Sequence, residues 1–430
     1  MNTITDTEKL ALFGGLKTIQ SEFKRYNPIG AEEAKAAKEV IESGVLSQFL
    51  GAWHDDFFGG PKVREFEGQC AEYFRVKHAI TVNSWTSGLI AAVGAIGIEP
   101  GDEVIVTPWT MSATATAILH WNAIPVFADI DPETYNLDPK SIEKNITPYT
   151  KAILVADIFG QSADMDEIMA IAAKYGLKVI SDTAQAPGAF YKGRYAGTCA
   201  HVGGYSLNYH KHIHTGEGGI IVTNDDEIAE RVQLIRNHAE VVVGDKGVTD
   251  LTNMVGHNFR LGEIECAIGI EQLKKLEGFV ESRQALAEAL TEGLKGLEGL
   301  RIPMVRSGRT HVYYVYPMQL DLDLLGTTRD CICDALNAEG IAVSRRYQNI
   351  HLLPLYQRKI AYGSHGFPWS SDICHRDVNY AKGICPVAET LNESTYMGFG
   401  MCVYDLDFDD VALIVKAFRK VWAGLDQFRG

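Results

Sequence analysis

The chain is 430 residues long, with 46% hydrophobic and 22% charged residues, which excludes a disordered, collagen-like or low-complexity polymer. Its 40 basic and 55 acidic residues leave a formal charge of -15, so nucleic acid and anionic membranes are poor general partners, and only a local basic pocket would hold a phosphate. The length allows two or three domains.

The first fifteen residues are acidic in part and carry no apolar core of signal-peptide length. No run of about 18 apolar residues follows, so a cytoplasmic protein without a membrane span is expected. Apolar periodicity then predicts helices over Ala34 to Ile41 and Val63 to Phe74, a strand over His78 to Asn83, and a helix over Ser87 to Ala95. Glu103 to Thr107 reads as a strand and Ala113 to His120 as a helix. Ile124 to Asp129, Ala152 to Asp157 and Lys178 to Asp182 read as further strands, with a helix over Met165 to Tyr175. Strands alternating with helices at this spacing predict an α/β fold with a mostly parallel sheet covered on both faces.

Two more strands, Gly203 to Leu207 and Gly219 to Thr223, flank a polar loop too short for a helical crossover. At least one of them must therefore run antiparallel. Helices are predicted over Asp226 to Asn237, Gly262 to Leu276 and Val280 to Leu297. Beyond Gly299, strands over Val312 to Gln319 and Phe399 to Val403 and helices over Thr328 to Glu339 and Asp409 to Gly424 predict a smaller α+β domain. The expected organisation is an N-terminal segment (1–29), a large domain (30–285) and a small C-terminal domain (286–430).

Ligands of open α/β sheets bind beyond the carboxyl ends of the parallel strands. After the strand His78 to Asn83 comes Ser84-Trp85-Thr86-Ser87 at a helix N-terminus, which suits a phosphate but is equally an ordinary N-cap. The strand Lys178 to Asp182 ends in an acid that needs a cationic partner if buried, or else caps the next turn. The loop Ser206 to Gly219 places Lys211 before Thr215-Gly216-Glu217-Gly218-Gly219, which would let an amine point into the ligand crevice. His210, His212 and His214 alternate within it, but no suitably spaced further ligand accompanies them, so no metal is expected. The eight cysteines form no CxxC pair and are expected to be reduced thiols.

Taken together, these segments resemble the DegT/DnrJ/EryC1/StrS family of sugar aminotransferases, which depend on pyridoxal phosphate and have the fold type I of aspartate aminotransferase. The resemblance is most specific over Ser206 to Gly219, where the family shows Ser-Phe-x-x-x-Lys followed by Thr-Gly-Glu-Gly-Gly. It implies that Lys211 is the catalytic Schiff-base lysine of ping-pong half-reactions and that Asp182 pairs with the pyridine nitrogen. It further implies that Gln185 meets the phenolic oxygen, that Ala184 and Met111 lie against the ring, and that Thr86, Ser87 and Ser206 hold the phosphate. Asn258, in Gly256-His257-Asn258-Phe259-Arg260, matches an asparagine that reaches the neighbouring subunit's phosphate, which implies a homodimer with shared active sites.

Three departures stand out. Trp85 replaces the glycine of Ser-Gly-Thr and must turn away from the phosphate. Ser181-Asp182 replaces a Glu-Asp pair. Met111, with Trp109 close by, replaces an aromatic ring cover. Gly51 to Gly60 looks longer than usual and is expected to shape the acceptor site, which Arg345, Arg346, Tyr347 and His351 are expected to border. The resemblance implies transfer of an amino group from glutamate or glutamine to a keto-sugar, most commonly nucleotide-linked, with a keto-cyclitol of the inosose type as the alternative acceptor. Lys211 speaks against the dehydratases of the family, which carry histidine there. A non-catalytic regulatory or binding protein on the same fold is the alternative of a different class.

Overall fold

The computed structural model describes residues 9–429. Seven strands form the larger sheet: β1 (His78–Val82), β2 (Glu103–Val106), β3 (Ile124–Phe127), β4 (Thr150–Ala156), β5 (Lys178–Asp182), β6 (Val202–Ser206) and β7 (Gly219–Thr223). Their order is β1-β7-β6-β5-β4-β2-β3. β7 alone runs against its neighbours β1 and β6, and the remaining pairs are parallel. Every residue of β2, β3, β6 and β7 is buried, as expected of a sheet covered by helices on both faces. The ends of β4, β5 and β6 therefore open on one side of the sheet, where Asp157, Asp182 and Ser206 sit.

The smaller sheet contains β8 (Leu300–Arg301), β9 (Tyr316–Leu320), β10 (Val343–Ser344) and β11 (Tyr396–Phe399), in the antiparallel order β8-β9-β11-β10. Its core joins Met318, Leu336, Ile414 and Phe418 with Leu10 and Ile19 from the beginning of the described chain. Residues such as Ile350, Tyr356 and Tyr380 pack instead into the core of the larger sheet. Among the described residues no helix is long and apolar enough to cross a membrane, and all eight cysteines are free.

Three expected elements differ. The strand expected over Val312 to Gln319 begins only at Tyr316. The helices expected over Gly262 to Leu276 and Val280 to Leu297 are one helix, Glu263–Leu294. The pattern breaks at Gly278, but that glycine is exposed and costs the helix only its own propensity, about 1 kcal/mol. The last strand ends at Phe399 instead of beginning there, and Met401–Val403 is a 3₁₀ turn.

The helix Trp85–Ala95 lies close on β6 and β7 because glycines stand at the crossing. A Cβ at Gly88 would come 2.6 Å from the Trp85 ring, and one at Gly204 would come 2.2 Å from the ring and 2.2 Å from the Ile220 carbonyl. A Cβ at Gly219 would meet the Trp85 backbone at 2.9 Å. Gly204→Ala is therefore expected to destabilise the protein by about 1–3 kcal/mol, the usual cost of overpacking, as a lower midpoint in urea unfolding.

Candidate active site

The strand ends converge on a cavity of about 320 Å³. Asp182, the last residue of β5, is 5% exposed, and a carboxylate buried that deeply needs donors. It has three. The Trp85 indole Nε1 donates to Oδ1 at 2.7 Å, the Ala184 backbone N–H donates to Oδ1 at 3.2 Å, and the Thr114 hydroxyl donates to Oδ2 at 2.6 Å. Behind it, Asp157 accepts from the hydroxyls of Ser181 at 3.0 Å and Thr183 at 2.7 Å. Burial raises the pKa of Asp157 above the ordinary carboxylate value.

Lys211 is 7% exposed and lines the same cavity. Its loop is tied back to the sheet by Leu207 N–H to Gly218 O at 2.9 Å and Thr215 N–H to Leu207 O at 3.1 Å. Gly218 has φ +151° and would press a Cβ against Thr215 Oγ1 at 2.8 Å, so this tight return favours glycine. Burial lowers the amine from its ordinary value to about 8, opposed in part by the charge of Asp182. The amine also stands 4.5 Å from the centre of the Tyr314 ring, a cation–π distance.

At the other end of the cavity, Ser84 caps the helix Trp85–Ala95 by accepting the Ser87 N–H at 3.1 Å, and the two hydroxyls meet at 2.9 Å. Ser84, Trp85 and Thr86 line the cavity, so it borders the positive end of that helix. Ser206 lines the wall nearby. Gln185 accepts the Phe159 N–H at 2.9 Å and donates to Tyr347 Oη at 3.1 Å. Ala184 and Met111 also border the cavity, with Met111 63% exposed. Pyridoxal phosphate fits these residues: a buried amine, a carboxylate with one acceptor position left, and a helix N-terminus. In addition, Asn208 Oδ1, beside the cavity, is buried without a partner and is free to accept from a ligand.

Other expected site residues lie elsewhere. His351 is fully buried; its Nε2 meets Glu389 Oε1 at 2.9 Å, and that carboxylate also accepts the N–H groups of Gly383 and Cys385. Its 3₁₀ turn, Ile350–Leu352, packs toward Phe127, so His351 braces the chain. Arg345 pairs with Asp334, and Arg346 is exposed. Of this group only Tyr347 lines the cavity. Asn258 is exposed and accepts from Arg260 Nε at 2.8 Å, and its side chain is not part of the lining of its own chain's cavity. Trp109 is fully buried and donates to Asn349 Oδ1 at 2.6 Å, so it does not cover the cavity.

His210 lines the cavity, pushed down to about 4 by burial and by Lys211. His212 is fully buried against the Val312 carbonyl, and His214 Nδ1 accepts the Gly216 N–H. Among the described residues no three His, Cys, Asp or Glu side chains group as a metal site. Sequence reasoning missed Thr114, Tyr314 and Asp157. Asp157 was within reach of the strand-end rule that marked Asp182, whereas Thr114 lies within a helix with no spacing signature.

Residues 29–383 match the model of the DegT/DnrJ/EryC1/StrS aminotransferase family. The chain is 34% identical over 405 residues to the spore coat polysaccharide biosynthesis protein SpsC of Bacillus subtilis, covering 93% of this chain and 96% of that one. It is 38% identical over 299 residues to the GDP-perosamine synthase of Caulobacter vibrioides, covering 69% and 79%. Its structure is similar to that of an aminotransferase from Psychrobacter cryohalolentis, with a TM-score of 0.79 at 29% identity, covering 94% of this chain and 100% of the other.

An amine that loses its proton near pH 8 reacts with an aldehyde as the neutral form accumulates. Borohydride trapping of pyridoxal phosphate on the cofactor-free protein should therefore speed up as pH rises and level off near 8, instead of climbing beyond 10 as for an exposed lysine.

Proposed function

Since the chain belongs to the DegT/DnrJ/EryC1/StrS aminotransferase family, whose enzymes depend on pyridoxal phosphate, we propose that it moves an amino group from glutamate or glutamine to a nucleotide-linked keto-sugar. The observation that carries this reading is that Lys211 and Asp182, both buried, line one cavity. When bound, the cofactor supplies an electron sink for the carbanion formed at the donor's Cα.

The Lys211 amine, kept largely desolvated, is the nucleophile that holds the cofactor aldehyde. With the cofactor and an amino acid bound, the same amine would be the base that takes the proton at the donor's Cα and the acid that returns it on the cofactor side. Asp182 holds the proton at the ring nitrogen. Thr86 and Ser206, with the N-terminus of the helix Trp85–Ala95, bind the phosphate, and Gln185 orients the ring through its amide. A regulatory protein would have no use for a lysine amine tuned toward neutrality. The nucleotide-linked acceptor is supported by likeness to a GDP-perosamine synthase.

The working unit we propose is a homodimer with shared sites. Leu46, Leu50, Trp53, Val241, Leu251 and Val255 are all at least 40% exposed. Bonds of Glu263 N–H to Leu46 O and of Asn237 Nδ2 to Leu50 O tie the segment of Leu46 and Leu50 to the later chain, and the bridge of Asn237 with Asn258 joins Asn258 to it. An apolar patch of this kind marks an interface, and Asn258 of one copy would then serve the cavity of the other.

Two experiments test this. With glutamate or glutamine as donor and a panel of nucleotide-linked keto-sugars and keto-cyclitols as acceptors, mass detection should show an aminated nucleotide sugar; amination of cyclitols alone would overturn the acceptor assignment. Lys211→Ala should lose at least ~10⁴-fold in turnover and Asp182→Asn roughly 10²-fold. In sedimentation the protein should run as a dimer and Leu251→Asp/Val255→Asp as a monomer. Asn258→Ala should stay dimeric but release the cofactor more readily.

A further inference from the structure

The bonds to Asp182 do not share its load evenly. A carboxylate offers about four acceptor positions. Trp85 Nε1 and the Ala184 N–H take both on Oδ1, and Thr114 takes one on Oδ2. One position, on Oδ2, remains for an N–H in the cavity. The 2.7 Å indole contact is the shorter of the two on Oδ1, and it is made by a ring that is 5% exposed and confined by Gly88 and Gly204. The indole has no room to turn. On the other side, Thr114 is fixed in turn by the Thr110 hydroxyl at 2.9 Å. Donors aimed at a carboxylate favour its ionised form.

We propose that Trp85 is a positioning residue: its indole N–H fixes the Asp182 carboxylate with Oδ1 saturated, so that the acceptor position left on Oδ2 keeps a set direction toward a ring N–H in the cavity. The role rests on the aminotransferase reading. It adds to that reading a residue that need not touch cofactor or substrate, acting through Asp182. Without the indole N–H, the carboxylate turns more freely, its bond to the ring N–H is held less well, and the electron sink weakens.

Packing alone is the competing explanation, because the indole also fills the space above the glycines. Replacing Trp85 by 3-benzothienylalanine separates the two, since sulfur takes the place of the N–H in a ring of nearly the same shape. Trp85→Phe, which removes both donor and bulk, is the simpler companion. In the loaded enzyme the analogue is expected to lower kcat about tenfold with the donor KM unchanged, as loss of a hydrogen bond to a charged group would give. It is also expected to shift the pH midpoint of the cofactor's visible absorbance while leaving the unfolding temperature in place. Thr114→Val should lower kcat in the same direction.

A second readout needs no cofactor. In the cofactor-free protein, the indole ¹H–¹⁵N resonance that disappears in Trp85→Phe should exchange slowly with solvent and move in Asp182→Asn. Wild-type kcat and pH midpoint in the analogue enzyme would overturn the proposal, as would an indole resonance that ignores Asp182→Asn. If the aminotransferase reading itself failed, the kinetic signals would vanish but the resonance would still respond, so the two failures are distinguishable.

Discussion

An amine and a carboxylate buried beneath one cavity are the expense around which this protein is built. Each ionised group loses hydration that only its immediate neighbours can return, and the two groups are treated differently. Asp182 is met by three donors on rigid elements, which make its charge tolerable. Lys211 receives a ring face and a distant carboxylate, and burial leaves it close to giving up its proton. One group is surrounded by hydrogen-bond donors, and the other is lowered by burial toward its neutral form. That asymmetry is what proton transfer at a carbon requires.

The sheet makes both placements possible. Parallel strands bring Asp157, Asp182 and Ser206 to a common edge, and the reversal at β7 returns the chain at once through a short loop. A helical crossover after β6 would have carried residue 211 away over one face of the sheet. The tight return through Gly218 keeps its amine at the strand ends instead. Close approach of the helix Trp85–Ala95, allowed by Gly88, Gly204 and Gly219, then brings the N-terminus of that helix and the indole donor to the same cavity.

Much of this was legible in the sequence for a stated reason. Strand ends in an α/β chain are where side chains are free to reach ligands, so Asp182 and the lysine loop stood out by position and chemistry. The reversal of β7 followed from loop length alone. Other features depend on pairs of residues far apart in the chain. That Trp85 turns onto Asp182 requires glycines more than a hundred positions away, and Thr114 reaches the same acid from within a helix. His351 and Arg345 carried the right chemistry for a substrate, and in the structure each pairs with a carboxylate, Glu389 or Asp334, that spacing alone did not mark. The continuity of Glu263–Leu294 was hidden by an exposed glycine that tertiary packing overrides.

The cavity is also not the property of the large sheet alone. Tyr314 stands two residues before β9 of the smaller sheet, and Tyr347 follows β10; both line the cavity, one over Lys211 and the other bonded to Gln185. The helix Glu263–Leu294 contributes Ile270 and Leu273 to one apolar core and Leu286 and Leu290 to that of the smaller sheet. Tyr314 itself is held by the N–H groups of Val312 and Val315 on Gly160 O and Phe159 O and by the Cys402 N–H on its own carbonyl, while this helix is the rod that joins the two cores. A change in how the smaller sheet sits on that rod would alter the dryness around Lys211, and with it the pH at which the amine becomes a nucleophile, without touching any residue that meets the cofactor.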